Sequence, residues 1–185
     1  MDNQLQVTEH AVAGSANATQ ADAKDWFNDF IINARSARKT AMTVVGLGEQ
    51  WLAFIADTRT NPPAYYICDT DRLEDLAKNR QKAFGYIKEL RRLSKGQVNE
   101  SNTVYKGFPM QRYTPDAWAP LAWWMLARLK VRMQAEPMRA VKDLLSDCFK
   151  EWRDVTANSE DLQKELVRHV HTSMTAGARK EQPCT

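Results

Sequence analysis

The chain has 185 residues, with 26 Lys and Arg against 23 Asp and Glu, 43% hydrophobic residues and only 7 Gly. Hydrophobic content near the globular average excludes a wholly disordered chain, and scarce glycine excludes a collagen-like one. Because domains commonly contain roughly 100–200 residues, we expect a single domain at 22–176, a flexible tail at 1–21 and a frayed C-terminus at 177–185. The fold class that we predict is all-α, a compact bundle of five or six helices.

The first half of the predicted domain shows helical spacing of apolar residues. Such residues recur at three- and four-residue steps over 26–45, which predicts one amphipathic helix. Two glycines interrupt the pattern, and helical spacing resumes over 47–55 until Pro62 and Pro63 end it. The run at 64–68 (AYYIC) has strand-like residues, but one strand without a partner would be an orphan. We therefore interpret it as an extended connector packed on the core.

The next helix has the clearest end signals. Asp71 and Glu74 form a start similar to a capping box, and Gly96 stands where a C-cap glycine belongs. Residues 97–114 then predict a long loop of polar and aromatic residues, with a small hairpin at its tip.

Three further helices are predicted after this loop. Pro115 suits a helix start, but Pro120 should prevent a regular helix, so we expect the main helix to begin near Ala119. A clean helical pattern follows from Pro137 to Val155, and a last helix is predicted over 159–174.

The sequence contains only weak signals for catalytic or metal-binding sites. The stretch 45–48 (VGLG) lacks the third glycine of a dinucleotide fingerprint and the lysine of a P-loop. His169 and His171 are two residues apart, so on a helix they point about 160° apart and cannot share a metal ion. Cys148 lies on the apolar side of its predicted helix. We therefore predict no catalytic residue, metal or cofactor, no enzymatic activity and no small-molecule ligand.

Cysteine usage and hydropathy indicate a cytoplasmic protein. Cys68, Cys148 and Cys184 are far apart and form no C-x-x-C pair, which argues against a disulfide framework or a zinc site. The N-terminus lacks the pattern of a secretory signal. The longest uncharged apolar stretch, 117–127, is shorter than the roughly 20 residues that a bilayer span needs, so we expect no membrane partner.

A basic cluster at 78–95 is the most informative feature of the sequence. It holds seven Lys and Arg against Glu89, and such clustering is required to neutralise phosphates. The alternative is an ordinary solvated helix face, or a surface for a protein partner. The candidate phosphate contacts on this helix are Lys78, Lys82, Lys88, Arg91, Arg92 and Lys95.

The predicted loop interleaves rings with cations, a combination that stacks bases and holds phosphates on single strands. Alternatively, these rings fold back as a lid on the core. The candidate nucleic-acid contacts in this loop are Tyr105, Lys106, Phe108, Arg112 and Tyr113.

A second candidate surface is rich in tryptophan. Its aromatic surface is larger than one apolar helix face can bury, because it contains Trp118, Trp123 and Trp124. Residues 123 and 124 point about 100° apart on a helix. One of them could therefore anchor a partner protein. The alternative is a helix buried on most sides.

Three functional hypotheses of different classes follow. The leading one is a non-enzymatic helical accessory protein that contacts RNA or DNA, mostly by backbone charge, inside a larger nucleoprotein assembly. In general plan it is similar to the small helical subunits of RNA-guided effector complexes and of phage or plasmid assemblies, a likeness of architecture without specific residues. The alternative is a protein-binding adaptor or inhibitor that uses the tryptophan-rich surface. An enzyme assembled from distant residues is the third hypothesis.

Overall fold

The structure is a computed structural model that describes residues 20–47, 50–70, 76–107 and 115–156. These residues form a four-stranded sheet with order β1-β2-β3-β4; β1, β2 and β3 pair antiparallel, and β3 pairs parallel with β4. The elements in chain order are α1 (Gln20–Ala37), β1 (Thr40–Leu47), β2 (Gln50–Asp57), β3 (Ala64–Asp69), α2 (Leu76–Leu93), β4 (Thr103–Gly107), α3 (Pro115–Ala135) and α4 (Val141–Thr156).

The prediction of an all-α bundle of five or six helices is wrong, because the described residues form an α/β fold with four helices around a mixed sheet. Helices cover both faces of the sheet, so β1 and β2 are buried along most of their length. Strands buried on both faces are near-continuous apolar runs without two-residue alternation. The apolar spacing of β1 and β2 was therefore compatible with helices. Because the fold is not all-α, the predicted likeness of architecture to small helical subunits is also wrong.

The predicted helix over 26–45 is divided by a sharp turn after Ala37. Arg38 has a φ of 47°, in the left-handed region that ends helices, and its N–H donates to the carbonyl of Arg35 at 3.1 Å. The N–H of Lys39 donates to the carbonyl of Ala34 at 3.3 Å. The chain thus leaves α1 and enters β1 within two residues.

The predicted connector at 64–68 is a central strand. Ile67 of β3 pairs with Phe54 of β2 on one side and with Tyr105 of β4 on the other. Strand β4 lies inside the predicted loop 97–114 and pairs parallel with β3, because α2 carries the chain back to the other end of the sheet. Residues 108–114, the rest of the loop in which a small hairpin is predicted, lie outside the described residues. The capping glycine is as expected: Gly96 has a φ of 90°, and its N–H donates to the carbonyl of Arg91 at 2.8 Å.

Two apolar cores lie on opposite faces of the sheet. One face packs against α1 and α2, where Phe27 and Leu90 are fully buried, and the other packs against α3 and α4, where Leu129 and Trp152 are fully buried. Helix α1 leads into β1 and α2 leads into β4, and the pairing register places the first residues of these two strands at the same end of the sheet.

The later helices differ in detail from the predictions. Helix α3 begins at Pro115, before the start expected near Ala119, and accommodates Pro120 in its second turn. Helix α4 begins at Val141, four residues after the predicted start at Pro137, and ends at Thr156, one residue beyond the predicted pattern. The predicted helix over 159–174, the frayed end at 177–185 and residues 1–19 of the predicted tail lie outside the described residues.

Candidate nucleic-acid interface

The solvent-facing side of the α1/α2 layer is strongly basic. We call the exposed and half-buried residues within 26–39 and 77–96 the basic face. In these two ranges the acidic residues are Asp29 and Glu89. Ten cationic side chains oppose them: Arg35, Arg38, Lys39, Lys78, Arg80, Lys82, Lys88, Arg91, Arg92 and Lys95.

One side of α2 combines three of these cations with an exposed ring. Arg80, Phe84, Lys88 and Arg91 follow one another at intervals of three or four residues, so they form a stripe about 17 Å long. We call it the basic stripe. Arg80, Lys88 and Arg91 are exposed and pair with no acidic side chain of the described residues. The Phe84 side chain is 57% exposed, unusual for a phenylalanine.

The basic stripe borders a groove with a volume of about 690 Å³, which we call the α2–α4 groove. Helix α2 forms one wall, β4 the floor and α4 the other wall. Three cations and three aromatic rings line it together with smaller side chains: Asn79, Arg80, Ala83, Phe84, Ile87, Tyr105, Lys106, Gly107, Ser146, Phe149 and Arg153.

Two of the predicted contacts, Lys82 and Tyr105, bind a buried carboxylate of the protein itself. Asp69 ends β3 with its side chain fully buried. The Nζ of Lys82 lies 3.0 Å from Asp69 Oδ2, and the hydroxyl of Tyr105 donates to the same oxygen at 2.6 Å. A buried carboxylate needs such partners. Lys82 and Tyr105 therefore join α2, β3 and β4 to one another.

Lys106 connects the floor of the groove to α4. Its Nζ donates to Ser146 Oγ at 2.8 Å and lies 5.8 Å from the centre of the Phe149 ring. The geometry is that of a cation–π contact. The ring of Phe149 is half-buried and lies on the wall opposite Phe84.

The remaining predicted contacts on α2 differ in their pairing. Arg92 Nε donates to Glu89 Oε2 at 3.0 Å, and this hydrogen bond lowers the pKa of the Glu89 carboxyl. Lys78, in the first turn of α2, and Lys95, two residues after its end, are both exposed. The predicted contacts Phe108, Arg112 and Tyr113 lie outside the described residues.

The tryptophan-rich segment contributes to the core. Trp124 is 4% exposed and packs edge-on against Trp152, with ring centres 4.7 Å apart. Trp123 is half-buried against the same core. Nothing is described of the Trp118 side chain. Among the tryptophan side chains that the structure describes, none is exposed, so the predicted partner surface has no exposed anchor in this part of the chain.

Three arginines on the other face of the molecule are paired with carboxylates. Arg128 and Arg132 of α3 both bind Glu151 of α4, the latter at 2.9 Å. Arg139 binds Asp147 at 2.7 Å. These hydrogen-bonded carboxylates raise the pKa of Arg132 and Arg139. Cations held this way stabilise the packing of α3 on α4.

The thiols that the structure describes are unsuited to nucleophilic chemistry at neutral pH. Burial raises the pKa of Cys68 far above its ordinary value and that of Cys148 to about 11, so both stay protonated. In the described ranges, no group of His, Cys, Asp and Glu side chains could hold a metal ion. The described helices also include none long and apolar enough to cross a bilayer.

Comparisons with known proteins assign no family. No family model matches the chain, and no curated protein matches it. A solved structure described as a de-sumoylating protease is similar over 90% of this chain and 69% of its own, with 11% sequence identity and a TM-score of 0.34. A likeness this low supports neither a fold assignment nor an activity.

Proposed function

We propose that the protein is a non-enzymatic nucleic-acid-binding component, and that a single strand of RNA or DNA lies along the basic stripe with bases directed into the α2–α4 groove. The observation that carries the proposal is Phe84, a ring 57% exposed between cations at the mouth of a groove. The larger nucleoprotein assembly expected from the sequence belongs to the same proposal.

The cations of the stripe supply the affinity. Arg80, Lys88 and Arg91 are exposed and unpaired within the described part of the chain, so they can neutralise phosphates without breaking an ion pair that the structure describes. Each phosphate that they neutralise releases a counterion, which makes binding weaken as salt rises. Lys82 is excluded from this set because Asp69 already holds its charge.

The rings of the groove favour a single strand over a duplex. Phe84 and Phe149 stand on opposite walls, so unpaired bases can stack on one or both of them. Stacking is tolerant of base identity, and no donor or acceptor set in the groove indicates a base preference. In a duplex the bases are already stacked on each other and are unavailable to Phe84.

The variant Phe84→Ala separates the contribution of stacking from that of charge. We expect Phe84→Ala to weaken binding of a fluorescently labelled 12-nucleotide single strand by about 1–3 kcal/mol and to leave the salt dependence unchanged. Duplex binding should change little. The measurement is fluorescence anisotropy with single-stranded RNA, single-stranded DNA and duplex, each at about 50 and 200 mM salt.

The matched control is Val131→Ala, which shortens an exposed apolar side chain on α3, 52% exposed, far from the stripe. It should bind as the wild type does. Equal loss of single-strand and duplex binding in Phe84→Ala would contradict stacking, and absence of binding at low salt would contradict the proposal as a whole.

The adaptor hypothesis receives no comparable support. It depends on an outward tryptophan among Trp118, Trp123 and Trp124. Trp124 is buried against Trp152 and Trp123 packs on the same core, while the Trp118 side chain lies outside what the structure describes.

A further inference from the structure

A second basic pocket lies at the end of the sheet where α1 ends, β1 begins and β2 ends. It has a volume of about 360 Å³, within the size range of sites for small ligands. Three guanidinium groups line it, together with hydroxyl and amide side chains and a proline: Arg35, Arg38, Arg59, Thr58, Thr60, Asn61 and Pro63. No acidic residue is among the described lining residues. We call it the arginine pocket.

Arg59 is held rigidly on one side of the pocket. Its Nε and second terminal nitrogen donate to the two carboxylate oxygens of Asp57 at 2.9 and 3.3 Å, and Asp57 also accepts from Thr40 Oγ1 at 3.1 Å. The other terminal nitrogen of Arg59 donates to the carbonyl of Pro137 at 3.0 Å. Because a guanidinium has five N–H groups, two remain for a ligand.

Arg35 and Arg38 retain more donors. A terminal nitrogen of Arg35 donates to Gln97 Oε1 at 2.9 Å, and the side chain of Arg38 pairs with no described residue. Arg38 occupies a left-handed backbone position, with a φ of 47°, where a side chain is disfavoured and glycine is favoured. A cation at such a position places a charge at the pocket at the cost of local strain.

Backbone carbonyls at the end of a helix repel an anion, but two of those at the end of α1 accept hydrogen bonds from the protein. The Ala34 carbonyl accepts from the Thr58 hydroxyl at 2.7 Å and from the Lys39 N–H, and the Arg35 carbonyl accepts from the Arg38 N–H. The negative end of the helix dipole is therefore largely capped by the protein.

We propose that the arginine pocket binds a phosphomonoester. Three guanidinium charges less that of Asp57 leave two positive charges, which match the charge of a phosphomonoester near pH 7 better than that of a carboxylate. The phosphate can belong to the end of a nucleic-acid strand or to a free phosphorylated small molecule. This inference differs from the sequence expectation of no small-molecule ligand, and it does not depend on the basic stripe.

Calorimetric titration of the full chain with phenyl phosphate, and with benzoate as the carboxylate control, tests the proposal. We expect a Kd of about 0.1–1 mM for phenyl phosphate and at least about tenfold weaker binding of benzoate. Arg38→Gly should retain or raise the melting temperature, because glycine suits the backbone there, and should weaken phenyl phosphate binding at least about tenfold. Arg38→Lys keeps the charge and should retain part of the affinity.

A charge-reversed stripe, Lys88→Glu with Arg91→Glu, separates this proposal from the nucleic-acid one. It should bind phenyl phosphate as the wild type does, whatever its effect on oligonucleotides. Wild-type affinity in Arg38→Gly, or no binding of phenyl phosphate to the wild type, would overturn the proposal.

Oligonucleotides with a 5′-phosphate or a 5′-hydroxyl identify the source. Tighter binding of the phosphorylated strand that disappears in Arg38→Gly supports a strand end. Equal binding of the two strands, with phenyl phosphate still bound, supports a small molecule.

Discussion

The two helical layers of this protein carry similar cations in different settings. On α3 and α4, arginines are held by carboxylates of the neighbouring helix, as Arg132 is by Glu151. On α2, Arg80, Lys88 and Arg91 face solvent with no acidic partner among the described residues. The net charge of the whole chain is only +3, and neither this value nor a count of Lys and Arg shows which cations have a carboxylate beside them. The position of the carboxylates separates a structural layer from a surface available to a polyanion.

The largest expected effect tests the structural role of the α3/α4 layer. Trp124→Ala removes a buried ring that packs edge-on against Trp152. We expect the free energy of unfolding to fall by about 3–5 kcal/mol. Urea unfolding followed by circular dichroism measures it. A variant as stable as the wild type would show that Trp124 is not a core residue.

The next effect tests the charge pairs between α3 and α4. Glu151→Ala leaves Arg128 and Arg132 without their shared partner. Because the pairs are partly exposed, the expected loss of unfolding free energy is about 1–2 kcal/mol, and it should shrink in high salt. Loss that is independent of salt would contradict an electrostatic origin.

The same measurement on the basic stripe should give a smaller effect. Lys88→Ala with Arg91→Ala removes two exposed cations that have no described ion-pair partner. The free energy of unfolding should stay within about 0.5 kcal/mol of the wild-type value. A loss as large as that of Glu151→Ala would mean that these cations stabilise the fold, and the contrast between the layers would fail.

The smallest effect concerns the carboxylate of Glu89 on α2. The hydrogen bond from Arg92 lowers the pKa of Glu89, so its contribution to stability is present above the unfolded-state pKa and is lost as the pH falls through the folded-state pKa. In Arg92→Ala the Glu89 pKa should return toward its ordinary value, as measured by NMR titration of the side chain. An unchanged pKa would show that Arg92 does not hold this carboxylate in solution.

Helices with one exposed side were predictable from the sequence, whereas the sheet was not. The Gly96 cap and the apolar pattern of α4 depend on local chemistry, and both are found. Strands β1 and β2 are covered on both faces, which removes the two-residue alternation that identifies a half-buried strand. The β-branched run Thr43-Val44-Val45 was the one local signal for β1.

The candidate site was predictable in composition but not in geometry. The cluster at 78–95 is visible in the sequence, but the pairing of Lys82 with Asp69 depends on β3 ending beside α2. The spacing of Phe84 from Ile87 and Leu90 is that of an apolar helix face, and only the packing of α2 shows the ring exposed. The arginine pocket joins residues from α1 and the loop after β2, a proximity that spacing cannot show.

The most direct test of the central claim compares charge reversal on the two layers. Lys88→Glu with Arg91→Glu alters the basic stripe, and Lys130→Glu with Lys150→Glu makes the same charge change on α3 and α4. Anisotropy of a labelled single strand is measured from about 50 to 200 mM salt. We predict that the stripe variant binds at least about tenfold more weakly and loses about 1.4 from the slope of log K against log salt, while the α3/α4 variant stays close to wild type. Equal losses in both variants would contradict a localised interface and indicate attraction by net charge alone.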